Sequence, residues 1–217
     1  MPLFEAAVTA SIGDLPPAAE IGGLVATSAR AFGMFEGVAV DAEGLETIPV
    51  HAVGPATAQA ARDAGFVHVD EGGGTAQALA QALVDAQARI LNHAKPRESS
   101  IASKPLVYLA GVPRTQVIEA ALAARSVDHT VVECYKMSEI SYSTDIAKTD
   151  ILSPAPEVVL FYSANAARRF AALAEDAGLA EALESSWFLC FSPTIADELP
   201  GDWRPRVSVA ERPDEDS

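Results

Sequence analysis

The sequence predicts an α/β protein built on parallel sheets, and three features say so. Short apolar runs alternate with longer helical patterns through most of the 217 residues. Several of those runs are unbroken, as strands are when helices cover both faces of a parallel sheet. The order of elements in one half also recurs in the other. Regular strand–helix alternation of this kind places a chain in the α/β class.

Taken in order, the predicted strands are Phe4–Thr9, Leu24–Ser28, Val50–Gly54, Phe66–Val69, Leu106–Ala110, Thr130–Tyr135, Val158–Ser163, Trp187–Phe191 and Arg206–Ala210. Between them lie the Ala-rich helical segments Thr57–Ala64, Ala76–Leu91, Thr115–Ala124 and Ala166–Ala177. The last carries Ala167, Phe170, Ala171 and Ala174, an i, i+3, i+4, i+7 stripe that defines one buried face. Gly65 and Gly178 follow two of these helices, where a residue of positive φ closes the last turn. The segment Asn92–Pro105 is polar, proline-bearing and aperiodic, and reads as a connector between the halves.

The repeat is visible in residues as well as in element order. Thr27-Ser28-Ala29-Arg30-Ala31 corresponds to Tyr162-Ser163-Ala164-Asn165-Ala166, and Val53-Gly54-Pro55-Ala56-Thr57 to Phe191-Ser192-Pro193-Thr194-Ile195. Along the chain, the second half opens with a strand and helix, Leu106–Ala124, before Thr130–Tyr135. The counterpart of Thr130–Tyr135 is Phe4–Thr9, preceded only by Met1-Pro2-Leu3. The helix Thr75–Leu91 likewise has no counterpart before Ser217, where Asp214-Glu215-Asp216 would be a first acidic helical turn. One half is therefore expected to lack a strand and two helices, leaving a sheet edge and an apolar face uncovered.

Composition excludes several function classes. Thirty acidic residues against fifteen basic ones give a formal charge of -15, which disfavours nucleic acid and anionic membrane surfaces as partners. No run reaches the roughly 18 apolar residues of a membrane helix. The first basic residue is Arg30, so no secretory signal is expected and the location inferred is the cytoplasm. Cys134 and Cys190 stand apart in apolar runs and the four histidines are scattered singly. Two buried thiols and no metal are the expectation.

With those residues in place, the chain resembles the uroporphyrinogen-III synthases. The resemblance rests on Val50-His51-Ala52-Val53-Gly54-Pro55-Ala56-Thr57-Ala58, on the strand into Glu133-Cys134-Tyr135, on Phe161-Tyr162-Ser163-Ala164-Asn165, and on the strand into Ser192-Pro193. Each motif is weak alone, and their order along nearly the whole chain makes the set specific. It implies two flavodoxin-like parallel-sheet domains joined by a two-strand connector, with the active site in the cleft between them. By that resemblance, residues 10–128 form a complete domain. Residues 134–217 form a second domain, incomplete because it lacks its first strand–helix and its last helix. Residues 1–9 and 129–135 supply the connecting strands. The family's opening strand, with its Thr-Arg-Pro type motif, has no match here.

The same resemblance implies a lyase acting on hydroxymethylbilane, a linear tetrapyrrole that is closed with inversion of its last ring and loss of water. It implies no cofactor, a monomer, and hand-over of substrate from hydroxymethylbilane synthase. A catalytically inactive relative that binds a tetrapyrrole or another small molecule is the alternative; a two-lobed sensor is disfavoured by the absence of any DNA-binding element. Because the bilane closes spontaneously without inversion, the task is to hold one conformer and to assist a departing hydroxyl.

Tyr135 matches the family's active-site tyrosine and is the candidate catalytic residue, a weakly acidic phenol able to protonate the leaving hydroxyl. Its alternative is a tyrosine packed at a hinge. Thr27, Ser28, Ser163, Ala164 and Asn165 are candidate substrate ligands where strands turn into helices, since free N–H groups there suit carboxylates. Ser28 and Ser163 are equally expected to be N-caps. Thr57 and Ser192 occupy matching turns after Gly54 and Phe191, Thr57 in a place that faces substrate in the family. Gly111 and Arg114 lie in a turn where the family often has a glycine and an arginine; Arg114 is expected to be solvated or to pair with a propionate. Gly72-Gly73-Gly74-Thr75 lacks the lysine of a phosphate loop and reads as a loop ending in a threonine cap.

Overall fold

The computed structural model describes residues 2–93, 104–152 and 154–211. The chain divides into two compact units: Ala6–Ser138, and Met1–Glu5 with Glu139–Ser217. The division falls inside two strands, β1 (Phe4–Val8) and β6 (His129–Glu139), which run from one unit into the other.

The larger unit is built on a six-stranded sheet. Its other strands are β2 (Gly23–Ala26), β3 (Val50–Ala52), β4 (Val69–Glu71) and β5 (Leu106–Val112), in the order β1-β6-β5-β2-β3-β4. β2 pairs in parallel with both β3 and β5, β3 with β4, and β5 with β6. All four residues of β2 are buried, which explains its unbroken apolar sequence. Leu24 and Ala26 pack with Phe32, Phe35 and Phe66 on one side, and Val25 with Leu79, Leu83, Ile118 and Leu122 on the other. The helices are α1 (Pro55–Asp63), α2 (Ala76–His93) and α3 (Val117–Ala123), with a 3₁₀ segment Ala29–Phe35 after β2. β5 and α3, which the linear repeat set at the head of the second half, thus belong to this unit, β5 within its sheet.

The smaller unit repeats part of that plan. β7 (Val158–Phe161), β8 (Trp187–Cys190) and β9 (Val207–Val209) form a parallel three-stranded sheet, joined through α5 (Ala164–Asp176) and α6 (Pro193–Ala196). This matches β2, 3₁₀ segment, β3, α1, β4 element for element. A helix α4 (Thr144–Leu152) precedes β7. The core centres on Phe188, whose ring stacks on Trp203 at 4.4 Å and 3°, with Phe161 and Phe170 beside it. On the opposite side of the sheet, among the described residues, Val158, Leu160 and Trp187 are each about half exposed. Leu160 corresponds to Val25, which is fully buried under helices in the larger unit.

Several expectations shift in detail. The strand expected at Phe66–Val69 lies at Val69–Glu71, because Phe66 is drawn into the core against Phe32 and Phe35. α4 was not anticipated; Ser143 caps it, its carbonyl accepting from the Ala147 N–H and its hydroxyl from the Ile146 N–H. Gly65 and Gly178 do close helices with φ of 106° and 66°, and the Thr75 hydroxyl accepts from the Ala78 N–H as a cap. Most of the connector 92–105 and the acidic turn 214–216 lie outside the described residues.

Candidate functional site

In the larger unit the candidate residues gather at the carboxyl ends of adjacent strands. Thr27 and Ser28 follow β2, Gly54 and Thr57 follow β3, Gly111 ends β5 and Tyr135 lies in β6. In doubly wound sheets this edge is where ligands are received.

A register shift sets the position of Tyr135. Ala110 pairs with Glu133 but Gly111 pairs with Tyr135, so Cys134 is an extra residue in β6. A bulge turns the following side chain relative to regular alternation. The Tyr135 ring consequently lies over Gly111, so close that a Cβ on residue 111 would fall 2.5 Å from the phenol oxygen and closer still to the ring. Gly111 is thus demanded by close approach, and its backbone needs no positive φ. Cys134 points into the core and donates its S–H to the Val132 carbonyl at 3.2 Å. Burial pushes its thiol up to about 12, which makes it a packing residue without nucleophilic character.

On the opposite face of the sheet from Tyr135 lies a group that the sequence does not announce. Tyr108, 2% exposed within β5, shares a 3.0 Å hydrogen bond with the Thr27 hydroxyl. Burial raises its phenol pKa, against a smaller lowering from the Thr27 bond, with Glu119, Arg114 and Tyr135 within electrostatic reach. Its one sequence signal was a hydroxyl inside an otherwise apolar run. Arg114, expected to be solvated or to pair with a propionate, is part-buried and paired within the protein. Its Nε donates to Glu119 at 2.8 Å, and its Nη1 to Glu133 at 2.9 Å and to the Gly111 carbonyl at 3.4 Å. Two carboxylates already match its charge, and they raise its pKa further, Glu119 first.

Helix entries supply the donors. Ser28 is an N-cap, its hydroxyl accepting from the Arg30 N–H at 3.3 Å. At α1 the N-cap is Gly54 and N1 is Pro55, with Ala58 N–H bonded to the Gly54 carbonyl. Among the described residues the N–H groups of Ala56 and Thr57 have no acceptor, as the first turn of a helix dictates. Thr57 is 5% exposed, buried beneath that turn.

The smaller unit offers the same construction. Ser163 caps α5, its hydroxyl accepting from the Ala166 N–H at 3.2 Å and its carbonyl from the Ala167 N–H. Among the described residues Ala164 and Asn165 keep unpaired N–H groups. The Asn165 carboxamide oxygen is held by Arg168 at 3.3 Å, and Arg168 is held bidentately by Glu198 at 2.7 and 2.9 Å. Ser192 is the N-cap of α6, its hydroxyl accepting no capping bond from the helix. Each unit therefore brings its own candidates together on one strand-end edge.

Among the described residues no group of three or more His, Cys, Asp or Glu side chains could hold a metal ion, and no helix is long and apolar enough to cross a membrane. The larger unit offers hydroxyls, two phenols and backbone donors, and the smaller unit hydroxyls and backbone donors of its own, groups that suit anions.

A family model described as uroporphyrinogen-III synthase HemD matches residues 2–217. No curated protein sequence matches the chain. The structure of uroporphyrinogen-III synthetase from Helicobacter pylori 26695 superposes with a TM-score of 0.68 at 17% identity, covering 99% of this chain and 86% of that one. A mutant uroporphyrinogen III synthase from the extremely thermophilic bacterium Thermus thermophilus gives a TM-score of 0.49 at 17% identity, over 98% and 83%. The first of these bears on the mixed α/β fold with its parallel-dominated sheet.

Proposed function

We propose that this chain, which belongs to the uroporphyrinogen-III synthase family, closes hydroxymethylbilane to uroporphyrinogen III with inversion of the last pyrrole ring and loss of water. The observation that carries the reading is the Tyr135 ring held against Gly111 by the β6 bulge.

In this reading the phenol of Tyr135 donates its proton to the terminal hydroxyl, which leaves as water. The methylene carbon left behind is then attacked by the last ring through its substituted carbon, giving a spiro-pyrrolenine. The bond from that carbon to its old methylene bridge breaks, the ring's free α-carbon closes onto the bridge, and the proton which that carbon loses returns to the phenolate. The Thr27–Tyr108 pair keeps a second hydroxyl neutral and fixed at the end of β2. Because uncatalysed closure yields the uninverted ring, orientation of the bilane is the larger part of the work.

The substrate's carboxylates raise a question, since the protein carries a formal charge of -15. Backbone N–H groups at Ala56, Thr57, Ala164 and Asn165 answer it locally, because helix N-termini favour anions without a basic side chain. In the same reading the bilane comes from hydroxymethylbilane synthase, and the protein works as a cytoplasmic monomer without a cofactor.

The test generates hydroxymethylbilane in situ, oxidises the products and separates the isomers. Isomer III in excess of the enzyme-free control is the expected result. Isomer I alone at every protein concentration would overturn the assignment.

A further inference from the structure

The internal repeat equates Thr27 with Tyr162 and Val53 with Phe191. At these matching strand ends the two units carry different chemistry. The larger unit has a hydroxyl pair, Thr27 bonded to the buried phenol of Tyr108. The smaller unit has an aromatic pair: the Tyr162 and Phe191 ring centroids lie 4.4 Å apart at 58°. Phe191 is half buried and anchored on the core of that unit, whereas Tyr162 is 57% exposed. Ser163 and Ser192 follow these two residues directly, so the aromatic pair is continuous with the candidate ligand edge.

An exposed tyrosine loses side-chain freedom when it is braced by a neighbour, and the apolar surface it leaves in water is unfavourable to hydrate. A rigid, outward ring at a strand-carboxyl edge is in turn a preorganised surface for another flat ring, because little further order has to be imposed when that ring arrives.

We infer that Tyr162 and Phe191 form a platform for a pyrrole ring of the substrate. The inference rests on the synthase reading for the identity of the ligand, and it adds to that reading a division of labour. The aromatic pair receives a ring face, while the hydroxyl and N–H groups receive carboxylates. Tyr162 and Phe191 are binding residues in this scheme and exchange no proton with the substrate.

Two measurements on the full chain test it: KM for hydroxymethylbilane generated in situ, and Kd for uroporphyrin III followed by its fluorescence. Tyr162→Ser and Phe191→Leu should each raise both constants roughly three- to tenfold, the range expected for losing one aromatic contact, with unchanged far-UV circular dichroism. Tyr162→Phe keeps the ring and should stay within about twofold of the parent. If the parent makes isomer III and the Tyr162→Ser and Phe191→Leu proteins keep parental KM and Kd, the platform is wrong and the synthase reading stands. If the parent makes no isomer III but its affinity for uroporphyrin III still falls with the ring at position 162, the synthase reading fails and the platform stands. No isomer III together with no uroporphyrin binding removes both. A Tyr162→Phe protein as weak as Tyr162→Ser would also overturn the platform, since the hydroxyl and not the ring would then be the contact.

Discussion

The Tyr135 ring occupies the space that a side chain on Gly111 would need, with the phenol oxygen 2.5 Å from the site of a Cβ. The contact exists because β6 carries one residue more than β5 between two paired positions.

This relationship predicts that Gly111→Ala acts on activity through Tyr135. The methyl must push the ring off its site, so isomer III formation should fall along with that of Tyr135→Phe. A loss of roughly tenfold or more in each is expected for a proton donor removed or misplaced. Circular dichroism should show both proteins folded. An unchanged rate in Tyr135→Phe would take that residue out of the chemistry.

The two serine caps give a graded prediction. The Ser163 hydroxyl serves a 13-residue α-helix through Ala166 N–H at 3.2 Å, whereas Ser28 serves a short 3₁₀ segment at 3.3 Å. Ser163→Ala should lower stability by about 1 kcal/mol and Ser28→Ala by less, as read from urea unfolding midpoints. Equal midpoints for Ser163→Ala and the parent would show that the cap contributes nothing.

Cys134 and Cys190 are both buried, and burial raises both thiols, that of Cys134 to about 12. The thiolate is the reactive form, so neither should react with iodoacetamide at pH 8 in the folded protein. Mass spectrometry after denaturation should find both labelled. Rapid labelling of Cys134 in the folded state would contradict its place in the core.

His51 gives a pH dependence whose sign follows from its burial. Burial lowers its pKa below 6.5, and Asp70 at 3.6 Å only partly opposes this. Below pH 6.5 the unfolded chain takes up a proton that the folded protein resists. The contribution of His51 is therefore complete above that pH and is lost as pH falls from 6.5 towards the lower folded value. A His51→Gln protein should show a flatter decline of urea midpoint between pH 7 and pH 5. A decline identical to the parent's would assign the effect to other groups.

Much of the architecture could be read before folding, and the reasons are local. The apolar run Leu24–Ala26 reports burial on both faces, and β2 is buried throughout. Ser28, Ser163, Gly65 and Gly178 mark element ends because caps and positive φ depend on neighbours a few residues away. The repeated strand–helix turns placed Thr27, Thr57, Ser163 and Ser192 at strand ends for the same reason.

Only the tertiary structure decided the remainder, since pairing and side-chain encounters join residues distant in the chain. It set β5 beside β2, more than 80 residues apart in sequence. It placed the bulge that brings Tyr135 over Gly111, a register choice that no local pattern records. It also closed Arg114 between Glu119 and Glu133 and joined Tyr108 to Thr27. The sequence by itself determined most of the strands and the longer helices and where the chain turns at their ends, but not α4 or the exact place of β4. Which hydroxyls and rings meet there was decided by packing, because side-chain contacts form only after the sheet has fixed the register of its strands.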